Sequence, residues 1–168
     1  MSTFTVPGLD DATADEVRTV LQERLTALLD LHMTLKHVHW NVVGPNFIAV
    51  HEMIDPQVDS VRLFTDTIAE RIATLGGEPL GTPGSVVKLR DWEDYPVNRA
   101  TTVEHLEELD KVYQGVIADQ RKAIEALDGP DPVSQDMLIG QSADLEQFHW
   151  FVRAHLEDKG GRVKTSGS

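Results

Sequence analysis

Between Val17 and Val42 the apolar side of this chain repeats with a regularity that leaves little freedom of fold. Val17, Leu21, Leu25, Leu28, His32, Leu35, His39 and Val42 are separated by 4, 4, 3, 4, 3, 4 and 3 residues. That is the narrow stripe of a helix packed in a bundle. Thr13 and Glu16 have the spacing of a capping box, and Gly44-Pro45 stops the run. A first helix is expected from about Ala14 to Asn41.

A second long helix is expected from Phe47 to Leu75, stopped by Gly76-Gly77, with Arg71 near its C-terminal end. Pro56 is the awkward residue. Inside a helix it removes one ladder hydrogen bond and costs ~3 kcal/mol or more; alternatively Asp55 caps a shorter helix with Pro56 at its first position. The continuous helix is preferred, because FIAVHEMI contains no turn residue. From Gly76 to Ala100 the chain is rich in Gly and Pro, a long crossover with room in SVVKLRDW for one short helix.

Thr101 or Thr102 then opens a third helix, with Val103, Leu106, Tyr113, Ile117, Ile124 and Leu127 on one side and Asp110 interrupting them. Asp128-Gly129-Pro130 ends it. Asp131-Pro132 opens a fourth with the stripe Leu138, Leu145, Phe148, Val152 and Leu156, stopped by Gly160-Gly161. Strand signals are essentially absent. Four helices of roughly 28 residues, each about 42 Å long, make an all-α four-helix bundle of ferritin-like topology, its long middle crossover carrying a short helix. The expected organisation is an N-terminal extension over 1–13, the bundle over 14–159 and a flexible C-terminal tail over 160–168.

Charge and composition narrow the chemistry. The 168 residues hold 15 Lys+Arg against 28 Asp+Glu, a formal net charge of -13. That field disfavours a phosphate backbone and favours cations. With 0 Cys, disulfides, thiolate zinc sites, iron-sulfur clusters and cysteine nucleophiles are excluded, so any transition-metal site must use imidazole and carboxylate. No secretory leader or membrane-spanning stretch is recognisable, and a cytoplasmic protein is expected.

On the second helix His51 and Asp55 are four apart, as are Asp66 and Glu70, and each pair is able to pinch one metal ion. All four fall within an arc of about 100°. The pairs are about 16 Å apart along the axis and cannot share an ion within one chain. Symmetry removes the difficulty. If two copies of the helix pack antiparallel about a two-fold axis near Asp59 and Ser60, His51 faces Glu70 of the partner and Asp55 faces Asp66 of the partner. Two mixed sites result, about 22 Å apart, suited to Fe(II), Mn(II) or Zn(II). The same spacing also fits a solvated face, with Asp66 or Glu70 paired to Arg62 or Arg71. His39 lies on the apolar stripe, where a histidine is usually a hydrogen-bonded core residue but can also reach the second helix as a ligand.

The segment HVHWNVVGPNFIAVHEMIDPQVDSVRLFTDTIAERIATL, His37 to Leu75, resembles the Dps family, the DNA-binding proteins from starved cells, which are ferritin-like iron-storage shells. His-Trp, Gly-x-x-Phe, His-x-x-x-Asp and Asp-x-x-x-Glu follow one another in order. The resemblance implies that His39, His51 and Asp55 of one subunit, with Asp66 and Glu70 of its two-fold mate, make a ferroxidase centre. It further implies oxidation of Fe(II), preferably by hydrogen peroxide, and deposition of ferric oxyhydroxide inside a hollow dodecamer. Trp40 would then be a sacrificial radical trap or simply an interface aromatic. Acidic residues near the third-to-fourth helix turn, Asp128, Asp131 and Asp136, are candidates for an iron-guiding pore.

Two rivals come from other classes. HEMID resembles the zinc-protease HExxH, with His51 and Asp55 as ligands and Glu52 as base, one zinc per chain. The other is a non-enzymatic DNA-compacting protein of the nucleoid. DNA-binding members of the family use Lys/Arg-rich tails, since each phosphate contact needs a cation; here the candidates are only Lys159, Arg162 and Lys164. DNA binding is therefore expected to be weak and strongly salt-dependent, or absent. In a low-salt gel shift, a chain ending at Asp158 should lose whatever binding the full chain has. Equal binding by both would refute the tail assignment.

Overall fold

The computed structural model describes residues 6–157. Lys159, Arg162, Lys164 and the Gly160-Gly161 stop lie outside them. The periodic stripe becomes helix α1, Asp11–Asn41, which starts earlier than expected because the cap is Asp10. The Asp10 carboxylate accepts the Thr13 backbone N–H at 2.9 Å and the Thr13 hydroxyl at 2.9 Å. Thr13 is thus a first-turn residue satisfied from upstream, and it does not cap the helix. Along the stripe Val17, Leu21, Leu25, Leu28, Leu35, His39 and Val42 are buried, while His32 is only half-buried.

Helix α2, Phe47–Thr74, runs unbroken through Pro56. Pro56 is exposed, so the carbonyl it leaves without a donor lies on the solvent side. A short helix α3, Pro83–Leu89, occupies the crossover, capped by the Thr82 hydroxyl. Helix α4, Thr102–Ala126, begins with a reciprocal capping box in which Thr101 and Glu104 satisfy each other's backbone N–H groups. Helix α5, Pro132–Leu156, has Pro132 in its first turn.

The sequence offered no strand, yet β1 (Val42–Val43) and β2 (Ala100–Thr101) pair in parallel, Val42 opposite Ala100 and Val43 opposite Thr101. Each is the extended residue pair beside a helix end. Their pairing clips the exit of α1 to the entry of α4, and so fixes where the crossover finishes. Helices α1 and α2 form one antiparallel hairpin, α4 and α5 the other, and the core lies between, built from residues such as Leu21, Leu28, Ile54, Ile68, Leu109, Tyr113, Leu138 and Leu145. Gly77 lets the chain turn tightly after α2: an added Cβ would stand 2.4 Å from Arg18 Cδ and 2.9 Å from Ile72 Cγ2. Among the described residues no helix is long and apolar enough to cross a membrane.

The two hairpins are tied at one end by a buried ion pair. Arg71 on α2 donates to Asp131 Oδ2 at 2.7 Å and to the Ser134 hydroxyl at 3.0 Å, and Ser134 donates to Asp131 at 2.5 Å. Asp131, 5% exposed, is therefore turned inward and makes no side-chain cap to α5. Burial pushes its carboxyl upward, but the bonds from Ser134 and Arg71 outweigh this and hold it below its ordinary 3.8. Removing one partner of a buried pair leaves the other uncompensated. Asp131→Ala should lower unfolding stability by about 3 kcal/mol in urea titrations. Because the folded carboxyl titrates below the unfolded one, wild type should hold this stabilisation above about pH 4 and lose it as pH falls further. A variant whose deficit is as large at pH 3 as at pH 7 would contradict the assignment.

Candidate metal centre

Five residues, Val42 to Asn46, connect α1 to α2, and the chain reverses after β1 with Gly44 at φ 92° and Asn46 at φ 62°. In an antiparallel hairpin, side chains equally far from the turn meet. His39 and His51 are such a pair, and their rings stack with centroids 3.6 Å apart and planes 22° apart. Each Nδ1 donates to the other residue's backbone carbonyl, His39 to His51 at 3.0 Å and His51 to His39 at 2.9 Å. His39 lies in the last turn of α1, where carbonyls have no helical donor, so one is available to His51. A carbonyl oxygen only accepts, so Nδ1 carries the hydrogen on both neutral rings and the lone pair sits on Nε2. This is the tautomer and the backbone tether of a metal-binding imidazole.

Asp55 follows one turn after His51. Its Oδ1 is 3.2 Å from His39 Nδ1 and 3.0 Å from Lys36 Nζ. The hydrogen bond from Lys36 holds the Asp55 carboxyl below its ordinary range, with His39 and His51 adding to the pull. The Lys36 ammonium also stands 5.8 Å from the Trp40 ring centroid. Trp40 itself is 67% exposed. Phe47 covers His51, its ring centroid 5.1 Å away.

The other acidic pair is not brought to this trio within one chain. Asp66 and Glu70 are exposed farther down α2, Asp66 beside an open groove with Leu25 and Leu29 of α1 and Asp59 and Arg62 of α2. Among the described residues no group of three or more His, Asp or Glu side chains closes a metal site within one chain. Arg71 pairs with neither Asp66 nor Glu70, being committed to Asp131. Glu52, the base of the hydrolase alternative, is exposed.

Most of the remaining histidines have structural partners. His37 Nε2 donates to the Val97 carbonyl at 2.8 Å, tying α1 to the crossover. His149 meets Asp110 at 2.7 Å, which explains why an acid interrupts the apolar side of α4. His105, 0% exposed, has its Nδ1 3.1 Å from the Tyr95 hydroxyl.

Comparison with known proteins settles the family. The ferritin-like domain family matches residues 19–159. The chain is 59% identical over 167 residues to the curated "DNA protection during starvation protein" of Mycolicibacterium smegmatis, covering 99% of this chain and 91% of that one. The chain belongs to the Dps family. The solved structure of DpsA14 from Streptomyces coelicolor superposes on it with a TM-score of 0.92 at 58% identity, covering 97% of each chain. A relative with a different name, the fine tangled pili major subunit of Haemophilus ducreyi, is 49% identical over 95% of this chain and 84% of its own. Five helices with a short one between α2 and α4 are thus the Dps form of the ferritin-like fold.

For this Dps chain, sequence reasoning missed Lys36 and the covering role of Phe47. The signal for Lys36 was its position: it is nine residues before Pro45, and Asp55 is ten after it. An ammonium on Asp55 competes with any cation that uses the same carboxylate. Lys36→Met should tighten Co(II) binding, followed by visible absorption, by a few-fold at most, since an exposed ion pair is weak. Weaker binding in this variant would show that Lys36 supports the site and does not compete for it.

Proposed function

We propose that this Dps chain is a ferroxidase and iron-storage subunit that oxidises Fe(II), preferably with hydrogen peroxide. The reading rests on one observation above all: His39 and His51 each donate Nδ1–H to the other's backbone, which leaves the Nε2 lone pair of each ring free for a metal, and the Asp55 carboxylate stands 3.2 Å from His39 Nδ1 in the same cluster. Two imidazoles and a carboxylate form a hard-to-borderline donor set appropriate to Fe(II). Asp66 and Glu70 of a second, antiparallel copy complete it in this reading, making the centre intersubunit. Carboxylates stabilise Fe(III) over Fe(II), so this composition favours loss of an electron from the bound substrate ion.

Two Fe(II) each give one electron to one peroxide, the O–O bond breaks, and two protons convert the fragments to two waters. Hydroxyl radical is then not released, which protects DNA nearby. The ferric product is deposited as oxyhydroxide in the cavity of a dodecamer, which the net charge of -13 per chain suits because iron neutralises clustered carboxylates. Such a particle is cytoplasmic, and any association with the nucleoid depends on Lys159, Arg162 and Lys164.

A complementation experiment separates this from a metal site confined to one chain. Subunits carrying His51→Ala are co-assembled with subunits carrying Asp66→Ala and Glu70→Ala, and peroxide-dependent Fe(II) oxidation is followed by ferric absorbance. Each parent should be nearly inactive, while a mixed dimer retains one intact centre and recovers up to half the wild-type rate per dimer. Verified mixed dimers without activity would overturn the intersubunit centre.

A further inference from the structure

Helix α2 carries two opposite charges that the metal site does not use. Asp59 and Arg62 are both exposed, and among the described residues no ion pair takes up either of them. At about 100° per residue both fall inside the arc that holds His51, Asp55, Asp66 and Glu70, and they lie at its middle, one turn after Asp55 and one turn before Asp66. Both line the open groove of about 540 Å³ between α1 and α2, where Leu25, Leu29 and Leu63 supply apolar wall. Leu63 is 59% exposed, and Ile48, on the same arc, is 56% exposed. Apolar side chains around matched charges have the composition of a surface that another protein covers. His32 of α1 lies within the field of both charges: burial, then Arg62 and Lys36, push its imidazole below the ordinary 6.5, and Asp59 pulls the other way. It is therefore neutral at pH 7 and does not compete for Asp59 as a cation.

In the antiparallel pairing that brings His51 to the partner's Glu70 and Asp55 to the partner's Asp66, one more turn inward on each helix brings Asp59 to the partner's Arg62. The two-fold axis makes this contact twice, so four charges of alternating sign surround it. Other registers lose the match. Sliding the helices by three residues in one direction sets the two Asp59 side chains against each other, and three in the other direction sets the two Arg62 side chains together. Like charges facing each other across an interface suppress that arrangement. We propose that reciprocal Asp59–Arg62 ion pairs between two copies of this chain set the register of the α2–α2 contact and so hold the two halves of each metal centre opposite one another. Asp59 and Arg62 are positioning residues, since neither belongs to the donor set. The inference rests on the intersubunit centre proposed above.

The test uses full-length chains in their native assembly. Asp59→Arg places two cations per copy at the axis and Arg62→Asp two anions, so neither variant matches itself but each matches the other. Alone, each should dissociate at a protein concentration at least about tenfold higher than wild type, followed by size exclusion and native mass measurement. Co-expressed, they should regain wild-type dissociation and contain the two chains in equal numbers, because only mixed pairs match. A chain carrying both Asp59→Arg and Arg62→Asp should assemble with itself as wild type does. Single variants as tight as wild type, a random mixture of the two chains in the co-expressed assembly, or a doubly exchanged chain no tighter than the single variants would each overturn the proposal. The mixed and doubly exchanged assemblies keep the test decisive if a single variant fails to fold alone. The readout is assembly and needs no iron, so its failure is separate from failure of the metal-centre complementation.

Discussion

Everything distinctive in this protein depends on the packing of α1 against α2 in a fixed antiparallel register. A five-residue connection, Val42 to Asn46, joins two helices of 31 and 28 residues, so every residue before the turn has a counterpart after it. His39 meets His51, and Lys36 meets Asp55. The apolar stripes hold that register: Leu21, Leu28 and Leu35 on one helix and Ile54, Val61 and Ile68 on the other are all fully buried or nearly so. Slipping one helix by a residue would turn these side chains out of the core and separate the two imidazoles. The same hydrophobic packing that stabilises the hairpin therefore positions the donor atoms.

Polar groups specify what the apolar core leaves open. Tyr113, 0% exposed, donates to Gln57 Oε1 at 2.6 Å across the bundle, a bond that only one rotation of α4 against α2 can satisfy. At one end of the bundle Arg71, Asp131 and Ser134 lock the hairpins together. At the other, the short β1–β2 pair and the His37 bond to Val97 fasten the crossover. These groups cost stability if left unpaired and add little net stability when paired. Their effect is to penalise alternative packings.

The helices were legible because period-3.6 burial writes itself into the sequence. The stops at Gly44-Pro45, Gly76-Gly77 and Gly129-Pro130 were legible because those residues have few other uses. Where reading failed, two local signals competed. Asp10 and Thr13 both suit a cap, and only the folded structure shows that Asp10 accepts while Thr13 donates. Asp131 reads as a cap until Arg71, sixty residues away, is seen beside it. The β1–β2 pair escaped notice because two residues carry no periodicity. The cluster of His39, His51 and Asp55 was half visible: His51 and Asp55 share one helix face, but His39 reads equally well as a core residue.

The sequence by itself determined the four helices, the long crossover, the family and the two acidic or histidine pairs on α2, because helix periodicity, turn residues and i, i+4 spacing are local properties. Only the tertiary structure decided that His39 belongs with His51 and Asp55, that both rings present Nε2, and that Asp66 and Glu70 stay remote in the same chain. Hydrogen bonds between helices depend on register and rotation, and these are set by the whole core at once and by no single segment of it.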